Sequence, residues 1–254
     1  PKLYGEANAL GFSELSNPVQ LMFGSFDLAF VCIYLCRANS DFLEAFYSSE
    51  IGSFLRNVPD VRIFEVYADP DLPQSFHDCT RIVLRTPERY NALSLKTSEM
   101  IRYAVRNFRF QRLLKIDVTC IRTDFSEPQY KGRVPLDVHR LKAFLRDTNP
   151  NQDYTGFVLH SNASQGDAEN WATKKGGKID YRHVFGEGAM PPFYSGVCYF
   201  VSRAFAEYIA SESPPMAKEH AEKMWGSEDT MIGRLYTLFR ANRSKSASLT
   251  SGAF

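Results

Sequence analysis

Two short acidic segments carry the residue types that could do chemistry in this sequence. Lys115-Ile116-Asp117-Val118-Thr119 closes an apolar run with an acid, and Ser227-Glu228-Asp229-Thr230 opens a run with helical spacing. A carboxylate at the carboxyl end of a buried strand can hold a divalent cation against a diphosphate. Each segment also has a purely structural interpretation. Asp117 could cap the next turn, and Ser227 followed by two acids is a favourable helix start.

A third segment, Pro191-Pro192-Phe193-Tyr194-Ser195-Gly196, precedes another apolar run. Two prolines restrict the backbone, and the glycine allows a neighbouring group to approach closely. The segment could therefore line a site, or it could serve only as a rigid entry to a strand.

Motifs of several familiar enzyme classes do not occur in the sequence. The five histidines are scattered without HExxH spacing, no serine lies in a GxSxG elbow, and no phosphate-binding GxxxxGK[ST] loop is present. Zinc hydrolases, serine-elbow hydrolases and P-loop enzymes are therefore disfavoured. Cys32 and Cys36 lie in a run typical of a strand, which would hold their Cα atoms roughly 13 Å apart, too far for a disulfide.

Composition indicates a globular protein rather than a nucleic-acid-binding or membrane-spanning one. The 254 residues are 44% hydrophobic, and 30 basic residues against 29 acidic ones give a formal net charge of +1. No basic field of the kind that non-specific nucleic-acid binding needs is expected. The longest near-apolar run, Leu28 to Cys36, is shorter than the ~20 residues of a transmembrane helix. The first residues lack the layout of a signal peptide.

The elements that must position the acidic segments alternate between strand and helix patterns. Apolar runs predict strands at 28–35, 61–67, 82–84 and 112–117, with a long amphipathic helix at 91–109. This order predicts a mostly parallel central sheet flanked by helices, with ligands at the carboxyl ends of its strands.

Further elements are expected in the second half of the chain. The patterns predict helices at 136–145 and 203–210, a break at Pro214-Pro215, and a last helix from about Glu228 to Arg240. Strands are predicted near 155–160 and at 194–201. Lys174 to Lys178 is expected to form an exposed, mobile loop tip, and the chain after Arg243 a frayed tail.

Taken in order, these segments resemble the β-1,3-galactosyltransferase family (glycosyltransferase family 31, with its Fringe-like members). Tyr90 to Thr97 is similar to the family's Tyr-x-Asn-Leu-Thr-Leu-Lys-Thr helix start, and Lys115-Ile116-Asp117 falls at its Lys-Thr-Asp-Asp-Asp. Pro191 to Arg203 resembles its Pro-Pro-Tyr-x-Ser-Gly-x-x-Tyr-x-x-Ser-Arg segment, and Glu228 to Gly233 its Glu-Asp-Val-x-x-Gly motif. The resemblance extends from about Phe26 to Arg240.

The resemblance implies a single GT-A (Rossmann-like) domain over 26–243, between an N-terminal extension at 1–25 and a flexible tail at 244–254. It implies an inverting transfer of a hexose from a UDP-sugar to a glycan acceptor, with galactose as the leading candidate for the hexose. Asp229 would be the general base, beside Glu228. Mn²⁺ would be held by Asp117. The residues implied to bind the nucleotide-sugar are Arg37, Asp69, Lys96, Lys115, Asp117, Thr119, Ser195 and Gly196.

The sequence departs from the family pattern at the metal motif. Thr119 stands where the family has its last acid, and no histidine follows His220. We therefore expect weak or absent Mn²⁺ binding, with Arg240, Arg243 or Lys245 neutralising the diphosphate instead. The alternative is that these cations belong to an unstructured basic end.

Two further interpretations stay open at the level of the sequence. One is a catalytically impaired domain that binds a sugar nucleotide or glycan, and the other is an unrelated α/β domain whose motif matches are chance. Localisation is also open. A trimmed eukaryotic family member would lie in the Golgi lumen, and a microbial or viral one in the cytoplasm.

Overall fold

The computed structural model describes residues 29–34, 42–58, 61–121, 136–147, 152–161, 163–174 and 176–251. The predicted extension at 1–25 lies outside these residues, and so do Cys36 and Arg37. The strands are β1 Ala29–Tyr34, β2 Val61–Ala68, β3 Phe76–His77, β4 Arg81–Leu84, β5 Arg112–Asp117, β6 Tyr154–Gly156, β7 Leu159–His160, β8 Phe193–Tyr194 and β9 Cys198–Ser202. The α-helices are α1 Phe42–Ser48, α2 Glu50–Asn57, α3 Leu93–Asn107, α4 Val138–Asp147, α5 Gln165–Lys174, α6 Tyr181–Phe185, α7 Arg203–Lys223 and α8 Glu228–Ser251.

Seven of the strands form one mixed sheet in the order β3-β4-β2-β1-β5-β9-β6. The central strands β4, β2, β1 and β5 pair in parallel, whereas β3, β9 and β6 pair with their neighbours in antiparallel fashion. The predicted mixed α/β class is therefore confirmed, but the sheet is parallel only at its centre. A separate two-stranded sheet joins β7 and β8.

Alternating side chains of the sheet bury against helices on both faces. In β5, Leu113 belongs to the core formed with α3, α7 and α8, while Leu114 and Ile116 belong to the core formed with α1, α2 and α4. Period-2 alternation in a strand covered on both faces explains why its sequence is a continuous apolar run. Lys115 interrupts that run and is itself buried.

Helix α7 continues through Pro214 and Pro215, so the predicted break at these residues is wrong. Proline removes an intrahelical hydrogen bond and costs about 3 kcal/mol inside a helix. Contacts with α3 oppose that cost along the same stretch. The Ser98 and Ser213 hydroxyl oxygens lie 2.6 Å apart, and the Ser94 hydroxyl donates to the Ala217 carbonyl at 2.8 Å. Tertiary packing therefore overrides a local helix-breaking signal.

Other differences from the predicted elements concern the second half of the chain. The strand expected near 155–160 is two short strands, β6 and β7, and the strand expected at 194–201 is divided between β8 and β9. Helix α8 continues to Ser251 rather than ending near Arg240. In the expected loop tip, Gly177 packs under the indole of Trp225. No helix among the described residues is long and apolar enough to cross a membrane.

Candidate active site

The candidate site lies where the carboxyl end of β5, the loop before β9 and the first turn of α8 meet. Lys115 in β5 extends its ammonium to Glu228 of α8, with Nζ 3.0 Å from Oε1, and also donates to the Gly196 carbonyl. The Lys115 and Glu228 side chains are only 2% and 8% exposed. Burial alone lowers the pKa of Lys115, but the carboxylates of Glu228, Asp117 and Asp229 outweigh it and raise that pKa. Lys115 is thus an internal cation that neutralises a cluster of acids.

Position 196 requires a glycine because the backbone there approaches the Glu228 carboxylate closely. A Cβ at this position would overlap the Glu228 oxygens. The loop around Gly196 is also tied to the sheet, because the Asp117 amide donates to the Val197 carbonyl at 2.9 Å and the Ser195 amide to the Val158 carbonyl at 2.8 Å. The predicted site residues Ser195 and Gly196 therefore lie beside Glu228.

Asp229 is the second residue of α8, and its half-buried carboxylate accepts backbone hydrogen bonds. Its Oδ1 accepts from the Thr230 amide at 2.9 Å, and the Gly196 amide also donates to this carboxylate. Burial, followed by the nearby charge of Glu228, raises the pKa of Asp229 to about 7, against the opposing effects of Lys115 and the two amides. A carboxyl group that titrates near neutral pH is suited to accept a proton in catalysis.

Asp117 caps the turn that follows β5, which is the structural role that the sequence analysis considered for it. Its Oδ1 accepts from the Thr119 amide at 3.0 Å and from the Thr119 hydroxyl at 2.9 Å. Thr119 therefore donates to Asp117 at the position where the family's pattern has a metal-binding acid. In the described part of the chain, no three His, Cys, Asp or Glu side chains lie close enough to hold a metal ion. These residues do not form a metal site by themselves, and Mn²⁺ at Asp117 would need further ligands such as the oxygens of a substrate diphosphate.

Asp69 follows the last residue of β2, and Lys96 of α3 is linked to that strand end through Glu88. The Lys96 ammonium is buried and pairs with Glu88 at 2.8 Å, while Glu88 also accepts from the Ala68 amide at 2.7 Å. Asp69 accepts from the Asp71 amide at 3.0 Å. The ion pair of Lys96 therefore holds the end of β2.

The cations expected after the last helix are instead part of α8. Arg240 follows Asp229 by eleven residues, which corresponds to about 16 Å along a helix. Arg243 pairs with Asp153, with Nη1 2.7 Å from Oδ2. Neither arginine lies beside the carboxylate cluster, and the side chain of Lys245 is outside the described residues.

A pocket of about 160 Å³ opens directly beside Asp229. Polar residues of its lining include Asp229, Ser195 and Asp167. Apolar side chains from α5, from β8 and from the segment between α6 and β8 also line it, among them Trp171, Phe193 and Met190. Phe193, Ser195 and Asp229 lie in segments that the sequence analysis named, but sequence reasoning missed the part of the lining that comes from residues 160–190, a region without recognisable motifs. Trp171, a large aromatic residue in a helix of small and polar residues, was a local signal there.

Behind the pocket, the chain enters α8 through a constrained turn. Trp225 and Gly226 both have positive φ, at 50° and 72°. A Cβ at Gly226 would meet the backbone of Asn91 at 2.5 Å. The buried His220 has its Nδ1 3.2 Å from the Ser227 carbonyl oxygen, and burial, followed by the charge of Arg234, lowers its pKa to about 4. A neutral His220 thus supports the first turn of α8.

Comparisons with known proteins leave the family of this chain open. No protein-family model matches the sequence, and no curated protein matches it. One similar solved structure is mouse xyloside xylosyltransferase 1 in its apo form, with 9% identity over 82% of each chain and a TM-score of 0.33. At this TM-score and identity, the likeness supports no conclusion about the function of the present chain.

Proposed function

We propose that this chain is an inverting glycosyltransferase that moves a hexose from a UDP-sugar to a hydroxyl of a glycan acceptor. Galactose is the hexose that we propose first. The observation that carries this proposal is the Asp229 carboxylate. It lies at the start of α8, beside a pocket, and its pKa is raised to about 7. Galactose and UDP rest on the resemblance to the β-1,3-galactosyltransferase family alone.

In the proposed reaction, Asp229 accepts the proton of the acceptor hydroxyl as that oxygen attacks the anomeric carbon. The new bond forms between the acceptor oxygen and the sugar, and the bond from the anomeric carbon to the diphosphate oxygen breaks. The bonding pair leaves with UDP, and the configuration inverts. The acceptor oxygen must lie within about 2.6–3.2 Å of a carboxylate oxygen of Asp229 for this transfer.

Glu228 serves as a positioning residue in this mechanism. Its Oε1 is held by Lys115 at 3.0 Å, and its Oε2 accepts from the Asp229 amide at 2.7 Å. The carboxylate therefore fixes the first turn of α8, and its charge helps to raise the pKa of Asp229. Lys115 balances that charge from inside the sheet.

The donor is proposed to bind at the edge where β1, β2 and β5 end. Asp69, Asp117 and Thr119 lie at or just after these strand ends, and crevices outside the carboxyl ends of parallel strands are the usual ligand sites of such sheets. Because no group of three possible metal ligands occurs among the described residues, we assign no catalytic step to a metal.

The test is Asp229→Asn, measured with UDP-galactose and a panel of glycan acceptors. Loss of a general base should lower kcat by about 10²–10⁴-fold, while calorimetric titration should give unchanged affinity for UDP. For the wild type, kcat/KM should rise with pH through about 7 as Asp229 loses its proton. Asp180→Asn, which removes an exposed acid at the start of α6, is the matched control. An unchanged rate for Asp229→Asn would refute the assignment.

A second candidate function is a carbohydrate-binding domain of the same fold without turnover. The observation that favours it is the Asp117 carboxylate, which accepts two hydrogen bonds from Thr119 and, among the described residues, belongs to no group of three possible metal ligands. The two candidates are separated by one measurement. Binding of UDP-galactose without transfer or hydrolysis would support the binding domain.

A further inference from the structure

We infer that the pocket beside Asp229 is the acceptor site, and that it selects an uncharged sugar ring over an anionic one. That the ligand is an acceptor rests on the proposed function. That it is a neutral ring with one apolar face is inferred from the residues that line the pocket.

The shape and size of the pocket suit a single ring. Its volume of about 160 Å³ is well below the about 300–1,000 Å³ of pockets that enclose a drug-sized ligand. One sugar ring can therefore lie inside, with the rest of the acceptor outside.

The lining combines aromatic and aliphatic side chains with polar ones. Trp171 and Phe193 provide rings, and the His160 ring stacks on Phe193 with centroids 4.9 Å apart. A pyranose ring carries a face of C–H groups that packs on such surfaces, while its hydroxyls pair with polar groups of the lining. Those polar groups include Asp229 and Ser195.

The charge of the pocket is negative. Asp229 and Asp167 both line it, and no lysine or arginine is among the described residues of its lining. Hydrogen bonds from the Ser164 hydroxyl and amide lower the pKa of Asp167, so this carboxylate is ionised at neutral pH. A carboxylate or sulfate on the acceptor ring would meet these two like charges, and Lys115, the cation near Asp229, already pairs with Glu228 and donates to the Gly196 carbonyl.

The test compares methyl β-galactopyranoside with methyl β-galactopyranosiduronate, which differ in one carboxylate on the same ring. Binding is measured by saturation-transfer NMR titration at pH 8, without donor. The neutral glycoside should bind about tenfold more tightly than the uronate. Asp167→Asn should raise the affinity for the uronate by about threefold relative to the affinity for the neutral glycoside. Asp137→Asn, an exposed acid at the start of α4, is the matched control and should change neither affinity.

The aromatic wall is tested separately. Trp171→Ala should weaken binding of the neutral glycoside by about tenfold, and Trp171→Phe should restore most of it. Equal binding of both glycosides, binding of neither, or no effect of Trp171→Ala would each overturn the inference. Because these measurements need no donor, they are separable from the proposed function. Selective binding without transfer would refute only the enzyme, and transfer without this selectivity would refute only the pocket assignment.

Discussion

At the scale of single residues, the site depends on the balance of charge between Lys115 and the acids around it. Two groups 113 positions apart in the sequence, Lys115 and Glu228, form a buried ion pair. Removing water from two charges costs free energy, and their attraction repays it only when the geometry is good and other hydrogen bonds complete it. The Gly196 carbonyl and the Asp229 amide complete it here.

Lys115→Met should therefore destabilise the fold by about 3–5 kcal/mol, because it leaves Glu228 buried and unpaired. The double variant Lys115→Met/Glu228→Met should recover most of that loss. Urea unfolding at pH 7.5 measures both. Lys223→Met removes the more exposed pair with Asp180, whose atoms lie 4.0 Å apart, and should cost no more than about 1 kcal/mol. Equal effects of the two lysine substitutions would contradict the role assigned to Lys115.

At the scale of elements, two loops bring distant segments to the first turn of α8. The loop from Ser195 to Val197 joins β8 to β9 and touches Glu228, and the turn at Trp225 and Gly226 leads into the helix. Both depend on glycines because a side chain would overlap a neighbour. A rigid first turn follows, which holds the carboxylate of Asp229 in one place.

Gly196→Ala should destabilise the protein by about 1–3 kcal/mol, because the added Cβ displaces the Glu228 carboxylate from Lys115. The matched control is Gly166→Ala in α5, where the nearest atom to a new Cβ is 3.7 Å away. That change should stabilise the protein by about 0.5–1 kcal/mol. Thermal unfolding of both variants compares the two glycines directly, and equal signs would contradict the close-approach argument.

At the scale of the whole molecule, the buried His220 and the half-buried Asp229 make stability respond to pH in opposite directions. The folded-state pKa of His220 is about 4, below its unfolded value of 6.5, so the unfolded chain binds more protons between these values. His220 therefore contributes stability above pH 6.5 that is lost as pH falls toward 4. Asp229 has a raised pKa, so its contribution is present at low pH and is lost as pH rises through about 7.

The two effects oppose each other in the wild type, and substitution separates them. In Asp229→Asn, the free energy of unfolding should rise between pH 4 and 6.5 by up to about 3 kcal/mol, as His220 becomes neutral in the unfolded chain. In Asp229→Asn/His220→Gln, this rise should be absent. Urea unfolding at pH 4.5, 5.5 and 6.5 measures the slope. A rise that persists in the double variant would show that another group causes it.

Much of the scaffold was predictable from local patterns. The central strands are continuous apolar runs, and the two acids Asp117 and Asp229 lie at element ends, where the sequence placed them. Such features depend on propensity and periodicity over a few residues, which any sequence displays directly. The pairing of the edge strands and the split of residues 194–201 between two sheets depended on longer-range contacts.

The sequence by itself determined an α/β chain with an acid after its central strand and two acids at the start of its last helix. Only the tertiary structure decided that α7 continues through Pro214, that Lys115 is neutralised by Glu228, and that Trp171 and Asp229 line the same pocket. The physical reason is the same in each case. Burial and pairing energies of several kcal/mol outweigh local preferences of about 1 kcal/mol, and they arise between residues whose proximity the chain order does not reveal.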